Sequence, residues 1–419
     1  MPIFPASDPH PTDEGLAPET ESDLEDIVRQ ALANATALRV VGHGSKIRMG
    51  NEITAERAVS LRKLAGIVDY APHELVMTVR AGTSLLEIGE ALRAHQQHLA
   101  FEPPFFDRAV AGQSSPGTIG GLLATNLSGP RRFFAGAARD HFLGLRAISG
   151  RSEWFKSGGR VVKNVTGYDM CKLLAGAWGT LGLLTEVTVK VLPEPEDETT
   201  LAIAGLDEQS AVELLVSAAQ RRDPVTGAVH LPIDFARRSR VRAVRGAHAP
   251  ITVLRLEGTN AAMRARTQAL QSAVYGYADM QVLAKETSQA LWAEIRDMDL
   301  ADGPMQPVLW RISVPATRAV ETLGALRAAM PGSDGYFDWA GGLIVFAVPA
   351  ATMNERRVFA AADAAGGHAT LARRPDDVAK ILGHQPLTPP VAALNERIRK
   401  NFDPRGILNP GRLKPSESV

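Results

Sequence analysis

Apolar positions set the first outline of the chain. In ETESDLEDIVRQALANA (19–35), Leu24, Ile27, Val28 and Leu32 recur at helical spacing behind a candidate cap, Ser22. ALRVVGHGSKIRMG (37–50) is a short apolar strand that opens into a glycine turn. The stretch 61–95 predicts strand, Pro-containing turn, strand, and then a helix beginning near Thr83 or Ser84. A long irregular run, FEPPFFDRAVAGQSSPGTIGG (101–121), leads into a helix over GGLLATNLSG. HFLGLRAISG (141–150) reads as a strand and turn, and SGGRVVKNVTGYD precedes a helix around MCKLLAGA (170–177). GAWGTLGLLTEVTVKVLP (176–193) then changes character half-way. Glycines at 176, 179 and 182 give way to strand-like alternation over 186–192.

The Pro/Glu-rich run 193–198 marks a boundary. Beyond it, β and α patterns alternate: TLAIAGL then DEQSAVELLVSAAQ, ITVLRLEG then NAAMRARTQALQSAV, VLWRISVP then ATRAVETLGALRAAM. YFDWAGGLIVFAVP resembles a hairpin and RRVFAAADAA a short helix. This layout predicts a second α+β domain with helices on one face of an antiparallel sheet. LNERIRKNFDPRGILNPGRL (394–413) predicts a charged helix followed by a Pro/Gly turn.

Composition changes the picture only by exclusion. At 419 residues the chain is too long for one ordinary core. A formal net charge of +0, with no long block of like charge, argues against a general nucleic-acid or polybasic membrane surface. Any anionic ligand must therefore be held locally. Cys171 is the single cysteine, so the chain has no internal disulfide, no Cys-ligated zinc and no iron–sulfur cluster of its own. No apolar run nears the roughly 20 residues of a spanning helix. The stretch 1–18, with prolines at 2, 5, 9, 11 and 18, reads as a disordered tail, not a signal peptide, and the expected address is cytoplasmic.

Glycines therefore carry the chemistry. Gly42 and Gly44 follow the apolar strand 38–41, and Gly117, Gly120 and Gly121 precede the helix holding Asn126. Such loops let backbone N–H groups converge on an anion such as a pyrophosphate. Taken singly, each is equally a tight turn. None has the G-x-G-x-x-G spacing of a nicotinamide fold.

Together these segments resemble the vanillyl-alcohol oxidase/PCMH-type flavoproteins and, within them, the FAD-binding E subunits of bacterial glycolate oxidases. The matching pieces are VVGHGSKIRMG, VDYAPHELVMTVRAGTSL, PGTIGGLLATNLSGPRR, DHFLGLR, GGRVVKNVTGYDMCKLLAGAWGTLGLLTEVTVKVLP and FDPRGILNPGR. The resemblance implies a two-subdomain FAD-binding domain over 19–195, an α+β cap with an antiparallel sheet over 196–375, and a C-terminal segment, 376–419, returning to the FAD domain. It implies FAD lying extended between the subdomains, bound noncovalently. The diphosphate would meet Gly42, His43, Gly44, Ser45 and Lys46 on one loop and Pro116, Gly117, Thr118, Ile119, Gly120 and Gly121 on the other. Gly176, Gly179, Thr180, Gly182, Leu184, Thr185 and Glu186 would pass under the nucleotide. Asn126, Gly129, Pro130, Arg131, Lys163 and Asn164 would continue the flavin-side wall, with Asn409 and Pro410 returning to the isoalloxazine.

Other residues are weighed against plainer roles. His95 and His98 stand at i, i+3 on a predicted helix, but no third ligand supports them and no metal is expected. His43 is expected to pack or hydrogen-bond, because GHGSKIRMG resembles the noncovalent pattern. Cys171 reads as a small buried hydrophobe and Asp169 as the start of its helix. Arg311, between Trp310 and Ile312, could grip a carboxylate or reach solvent. Trp310 and Trp339 are candidate substrate neighbours, and Trp339 is equally a core anchor.

The activity that the resemblance implies is oxidation of a 2-hydroxy acid, glycolate to glyoxylate, with hydride passing to the flavin. The implied partners are a homologous FAD-linked catalytic subunit and an iron–sulfur subunit, through which the chain could associate with a membrane. Catalytic relatives carry a cap histidine pair and a late E-H-G segment, and neither stands here, so no catalytic base is named. Two alternatives stay open: a noncatalytic FAD-binding assembly or electron-transfer subunit, and a stand-alone 2-hydroxy-acid or alditol oxidase.

Overall fold

The computed structural model describes residues 15–105, 117–159, 167–274, 276, 279–303, 306–375, 378 and 380–413. Helix α1 (Glu21–Asn34) opens the chain and buries Leu24, Val28 and Ala31. Its cap is Thr20, not Ser22. Thr20 accepts the Asp23 N–H at 3.1 Å while the Asp23 carboxylate accepts the Thr20 N–H at 2.9 Å, a reciprocal pair that Ser22 does not make. Strand β1 (Leu38–Val41) runs parallel to β2 (Arg57–Ser60). Leu16, within the segment read as a tail, bridges to Val59 on the other side of β2.

A five-stranded sheet follows, of order β3-β4-β8-β6-β7. It comprises β3 (Ile67–Ala71), β4 (Val76–Arg80), β6 (Phe142–Ile148), β7 (Trp154–Gly158) and β8 (Leu183–Lys190). Helix α2 (Leu85–Arg93) starts at Ser84, whose hydroxyl accepts the Leu86 N–H. The short strands β5 (Gln97–His98) and β9 (Leu192–Pro193) pair with each other. Helices α3 (Ile119–Thr125), α4 (Arg132–Ala135) and α5 (Met170–Leu174) complete this half. Asp169 caps α5 by accepting the Lys172 N–H at 3.0 Å, and Cys171 is buried. Strand β8 begins three residues before the alternation expected over 186–192. Pairing of Leu183 and Leu184 with Ile148 and Ala147 of β6, and the Ala81 N–H donated to the Thr185 carbonyl, keep Leu183–Thr185 extended as well.

The second sheet has eight strands in the order β13-β10-β12-β11-β15-β16-β14-β17, with every ladder antiparallel. These are β10 (Asp197–Ala204), β11 (Gly227–Leu231), β12 (Ile251–Gly258), β13 (Met280–Leu283), β14 (Val308–Ser313), β15 (Asp334–Asp338), β16 (Leu343–Val348) and β17 (His368–Arg373). Helices α6 (Glu208–Ala219), α9 (Asn260–Ala273), α11 (Ala319–Ala329) and α12 (Glu355–Ala364) bury Leu215, Leu270, Leu323 and Phe359 in one core on its outer face. The expectation of helices on one face needs correction. Short helices α7 (Ile233–Ala236) and α8 (Arg242–Arg245) and the longer α10 (Lys285–Arg296) join the core on the other face, shared with the first half. Helix α10 docks through Leu291, Trp292 and Ile295, with Trp292 Nε1 donating to Thr200 Oγ1 at 2.8 Å. The chain then crosses back and ends its described part with α13 (Pro389–Phe402) and a turn. There Leu38 bridges in parallel to Leu408. Among the described residues no helix is long and apolar enough to cross a membrane.

Candidate cofactor-binding site

Strand β1 delivers the chain to a turn through Gly42, His43, Gly44 and Ser45. Gly44 has φ +76, and a Cβ there would meet nothing within 4 Å, so backbone conformation alone calls for glycine. Gly42 is needed for a different reason: a Cβ would collide with the Thr118 hydroxyl, because the two glycine loops touch at that point. Thr118 caps α3, its Oγ1 accepting the Gly121 N–H at 3.3 Å. Between the loops lies an open cleft. Gly42–Lys46 line one wall and Thr118, Gly120, Gly121 and Thr125 another, while Gly179, Gly182, Leu183 and Leu184 lie beneath.

Two cations line this cleft, Arg412 and Lys46. The Lys46 side chain is buried, donates to Ser45 Oγ at 3.0 Å, and meets no carboxylate among the described residues. Burial lowers its pKa to about 8. Gly117 (φ +79) leaves room for it, since a Cβ would stand 2.5 Å from Ser45 Oγ and 2.7 Å from Lys46 Nζ. His43 is pushed below its ordinary value by burial, with Lys46 and Arg62 adding to the effect.

The C-terminal turn closes the cleft. Asn409 Oδ1 accepts the Val40 N–H at 2.7 Å and Nδ2 donates to the Trp178 carbonyl at 2.8 Å. The buried Asp403 carboxylate fixes the approach by accepting the N–H groups of Ile407 (3.0 Å) and Leu408 (2.9 Å). Arg412 goes unremarked in the sequence reading although it stands three residues after Asn409. It is buried, donates to the carbonyls of Lys46 and Asn51 at 2.7 Å each, and lies over the Trp178 ring at 4.8 Å. Burial lowers its pKa to about 10. His384 meets the same Trp178 ring edge-on at 4.8 Å and is held neutral, at about 3, by burial and by Arg412.

Several expected wall residues lie elsewhere. Ile119 is core, and Thr180 Oγ1 is taken by the Ala177 carbonyl at 2.7 Å. Thr185 donates to Glu21, and Glu186 sits in the ladder opposite Arg80 and Arg146. Gly176 (φ +83) lies against Asn126, whose Oδ1 accepts the Arg139 N–H. None of these lines the cleft, and Pro410 does not either. Pro116, Lys163 and Asn164 fall outside the described residues. The helix expected to carry both His95 and His98 ends at Arg93. His95 packs edge-on to Tyr70, and His98, on β5, lies beside Arg131. Among the described residues no group of three or more His, Cys, Asp or Glu is placed to hold a metal ion.

Gly129, Pro130 and Arg131 reach the contact between the two halves. Arg131 Nε donates to Glu257 at 2.8 Å, and its backbone N–H donates to Glu102 at 3.0 Å. Arg255, wholly buried on β12, grips Glu102 in a bidentate pair at 2.8 and 3.0 Å. Burial alone would raise the carboxyls, but Arg255 and Arg131 outweigh it, holding Glu102 at about 2 and Glu257 lower still. Glu198 is pushed up to about 7 by burial, which Arg255 only partly offsets.

Alternation along β14 separates the two cap candidates. Trp310 points to the outer face, buried against Phe359 with ring centroids 5.5 Å apart, so it is core and not a substrate neighbour. Arg311 faces inward, donating to the Ser128 carbonyl at 3.2 Å and lying over the Trp339 ring at 4.9 Å. Trp339 holds φ +52 and donates through Nε1 to the Gly129 carbonyl at 2.9 Å. The neighbouring Asp338 carboxyl is raised to about 7 by burial.

The fold has close precedents. It superposes on p-cresol methylhydroxylase with a TM-score of 0.69 at 13% identity, covering 95% of this chain and 88% of that one. It matches alkyldihydroxyacetonephosphate synthase with a TM-score of 0.65 at 15% identity, over 94% and 75% of the two chains. Residues 15–158 match the FAD binding domain family. Over 386 residues the chain is 31% identical to glycolate oxidase subunit GlcE of Escherichia coli K12, covering 92% of this chain and 95% of that subunit. The chain belongs to the PCMH-type FAD-binding family. Its cofactor is FAD. This flavoprotein is also 30% identical over 187 residues to glycolate oxidase subunit GlcD of Bacillus subtilis, spanning 44% of this chain and 38% of that one. The cleft suits the dinucleotide, because a buried, uncompensated lysine stands beside glycines whose missing side chains leave the walls open.

Proposed function

We propose that this flavoprotein is the E-type subunit of a complex that oxidises a 2-hydroxy acid, glycolate to glyoxylate, and that it holds FAD noncovalently in the cleft between the glycine loops. Its near full-length likeness to the E subunit of a glycolate oxidase carries the reading. The FAD domain would span 19–195, the cap 196–375, and the returning segment 376–419. Lys46 would pair with the diphosphate, Gly42–Ser45 would give it backbone N–H groups, the loop Pro116–Gly121 would face it from the other side, and Leu184 would meet the adenine. When bound, FAD supplies the acceptor for a hydride from the substrate α-carbon. The proposed partners are a homologous flavin subunit and an iron–sulfur subunit, the latter because Cys171 alone cannot ligate a cluster. Association with a membrane would run through those partners.

A second reading, FAD binding without substrate turnover by this chain, draws support from the cap. Arg311 already spends its guanidinium on Ser128 and Trp339, and it lines neither the cleft nor the second cavity between α2 and α10. Adding glycolate without air to the purified chain separates the readings. Bleaching of the flavin band establishes turnover here, and an unchanged band assigns turnover to the partner. Acid precipitation tests the mode of attachment. All yellow colour is expected in the supernatant, and colour left in the pellet overturns the noncovalent reading.

Lys46 gives the site a pH dependence. In the apoprotein its pKa is about 8, against about 10.4 in the unfolded chain. The unfolded state thus binds more protons between these values, and apoprotein stability rises as pH climbs through that window. Diphosphate pairing needs the charged form, so FAD affinity should fall above pH ~8, by up to about tenfold per unit. Titrating FAD into apoprotein from pH 6.5 to 10 by fluorescence quenching measures this. Lys46→Met should bind FAD more weakly and with a flat profile. A steep profile in that variant would reassign the titration.

A further inference from the structure

Helix α13 contains no buried residue along its 14 positions. Even so, its apolar side chains are ordered. Val391, Leu394, Ile398 and Phe402 fall within about 80° of one another around the axis at ~100° per residue, forming a single stripe. The far end of that stripe is anchored. Phe402 meets Phe155 with ring centroids 5.7 Å apart, and Arg151 donates to the Asn401 carbonyl at 3.3 Å. The near end is bare, with Leu387, Val391 and Leu394 exposed by 51%, 46% and 47%. Amphipathic helices draw most of their stability from burying such a stripe, and a contiguous apolar patch of this kind marks a contact site.

The surroundings are basic. Arg397 and Arg405 are exposed on or just beyond the helix, and Arg151 and Lys156 stand exposed near its anchored end. Of the nearby carboxylates, Glu396 is paired with Arg399 at 2.7 Å and Glu153 with Arg151 at 3.5 Å. A second copy of this chain fits poorly, since a two-fold contact would set the same cations against each other. A partner with an apolar groove edged by carboxylates fits both features.

We propose that the bare half of α13 is the docking surface for a second flavin-domain subunit, one whose contact face is such a groove. The proposal rests on reading the chain as one subunit of a complex. Similarity to both an E and a D subunit of glycolate oxidases supports a partner of related fold. Six residues separate Phe402 from Asn409, so such a contact would connect through a short turn to the closure of the FAD cleft.

The test uses the full chain, loaded with FAD, and its native D-type subunit in a binding titration. Leu394→Asp should weaken binding at least 100-fold. Arg397→Glu should weaken it about tenfold and flatten the salt dependence. Both should keep wild-type flavin content and circular dichroism. Val68→Asp, equally exposed at 48% on β3, should bind as the wild type does. If Leu394→Asp binds as tightly as wild type, the docking surface is elsewhere, though the complex reading stands. If the wild-type chain binds no D-type subunit, the complex reading itself falls. A chain that self-associates alone and becomes monomeric on Leu394→Asp has a second copy as the occupant, which overturns the proposal. So does a rise in hydrogen exchange across α13 of the isolated chain on deleting residues 1–14, because the cover is then intramolecular.

Discussion

Gly121→Val should strip the protein of FAD while leaving its fold intact. Gly121 lies in the first turn of α3, and a Cβ there would meet only Thr118 Oγ1, at 3.4 Å, an ordinary contact. The rest of a valine side chain would occupy the cleft. Valine is also a better helix former than glycine by a few tenths of a kcal/mol, so the apoprotein should not suffer. FAD affinity should drop by roughly 100-fold or more, about 2.7 kcal/mol at that bound, with the Tm of the apoprotein within about 1 °C of wild type. Gly120→Val makes the contrast, because its Cβ would stand 2.8 Å from the Ala81 carbonyl oxygen, and backbone must move. That variant should lose stability and flavin together. If Gly121→Val kept full flavin content, the diphosphate would have to lie away from α3. The readouts are flavin absorbance per protein and differential scanning fluorimetry.

Arg255→Met should be the most destabilising single change in the contact between the two halves. It leaves Glu102 and Glu257 buried without their main counter-charge, a situation that costs about 3–5 kcal/mol. A fall in Tm of about 3–6 °C at pH 7 follows from that range in a chain of this size. The pH profile identifies the cause. In the wild type Glu102 titrates at about 2, below its unfolded value of about 4.3. Its contribution is therefore present above pH ~4.3 and lost as pH falls through that window. Without Arg255 the sign reverses, because protonation then relieves a buried charge, and the deficit should shrink as pH falls from 7 towards 5. Glu198 already behaves in this way. With its folded pKa at about 7, it opposes stability increasingly between pH ~4.3 and 7 in the wild type. A uniform deficit across pH 5–8 would mean that Arg255 acts through packing on Trp292, which it overlies at 4.4 Å.

Much of the site is legible in the sequence because its parts are local. A strand that ends in glycines, a Thr followed by a helix, and an Asn-Pro turn each leave a signature within a dozen residues. What escapes is non-local. Arg131 reads as flavin wall until Glu102 and Glu257, at separations of 29 and 126 residues, are brought to it by folding. Alternation places Trp310 and Arg311 on opposite faces but does not say which face meets the flavin half. Helix α10 goes unread because MQVLAKETSQALWAEIRDM mixes a short strand with a helix whose apolar residues cluster late, at Leu291, Trp292 and Ile295. Thr20 displaces Ser22 as the cap through Asp23, a partner that the spacing already contains.

The hydrogen bond from the Val40 N–H to the Asn409 side chain joins residues 369 positions apart. Domains emerging from a ribosome generally fold from the N-terminal side first. Here the sheet of β3, β4 and β6 to β8 can form early, but the cleft lacks one wall until residue 412 is free of the exit tunnel. Capture of the flavin should therefore wait for that turn to dock. A nascent chain stalled anywhere short of that turn would carry a folded sheet, exposed glycine loops and no colour.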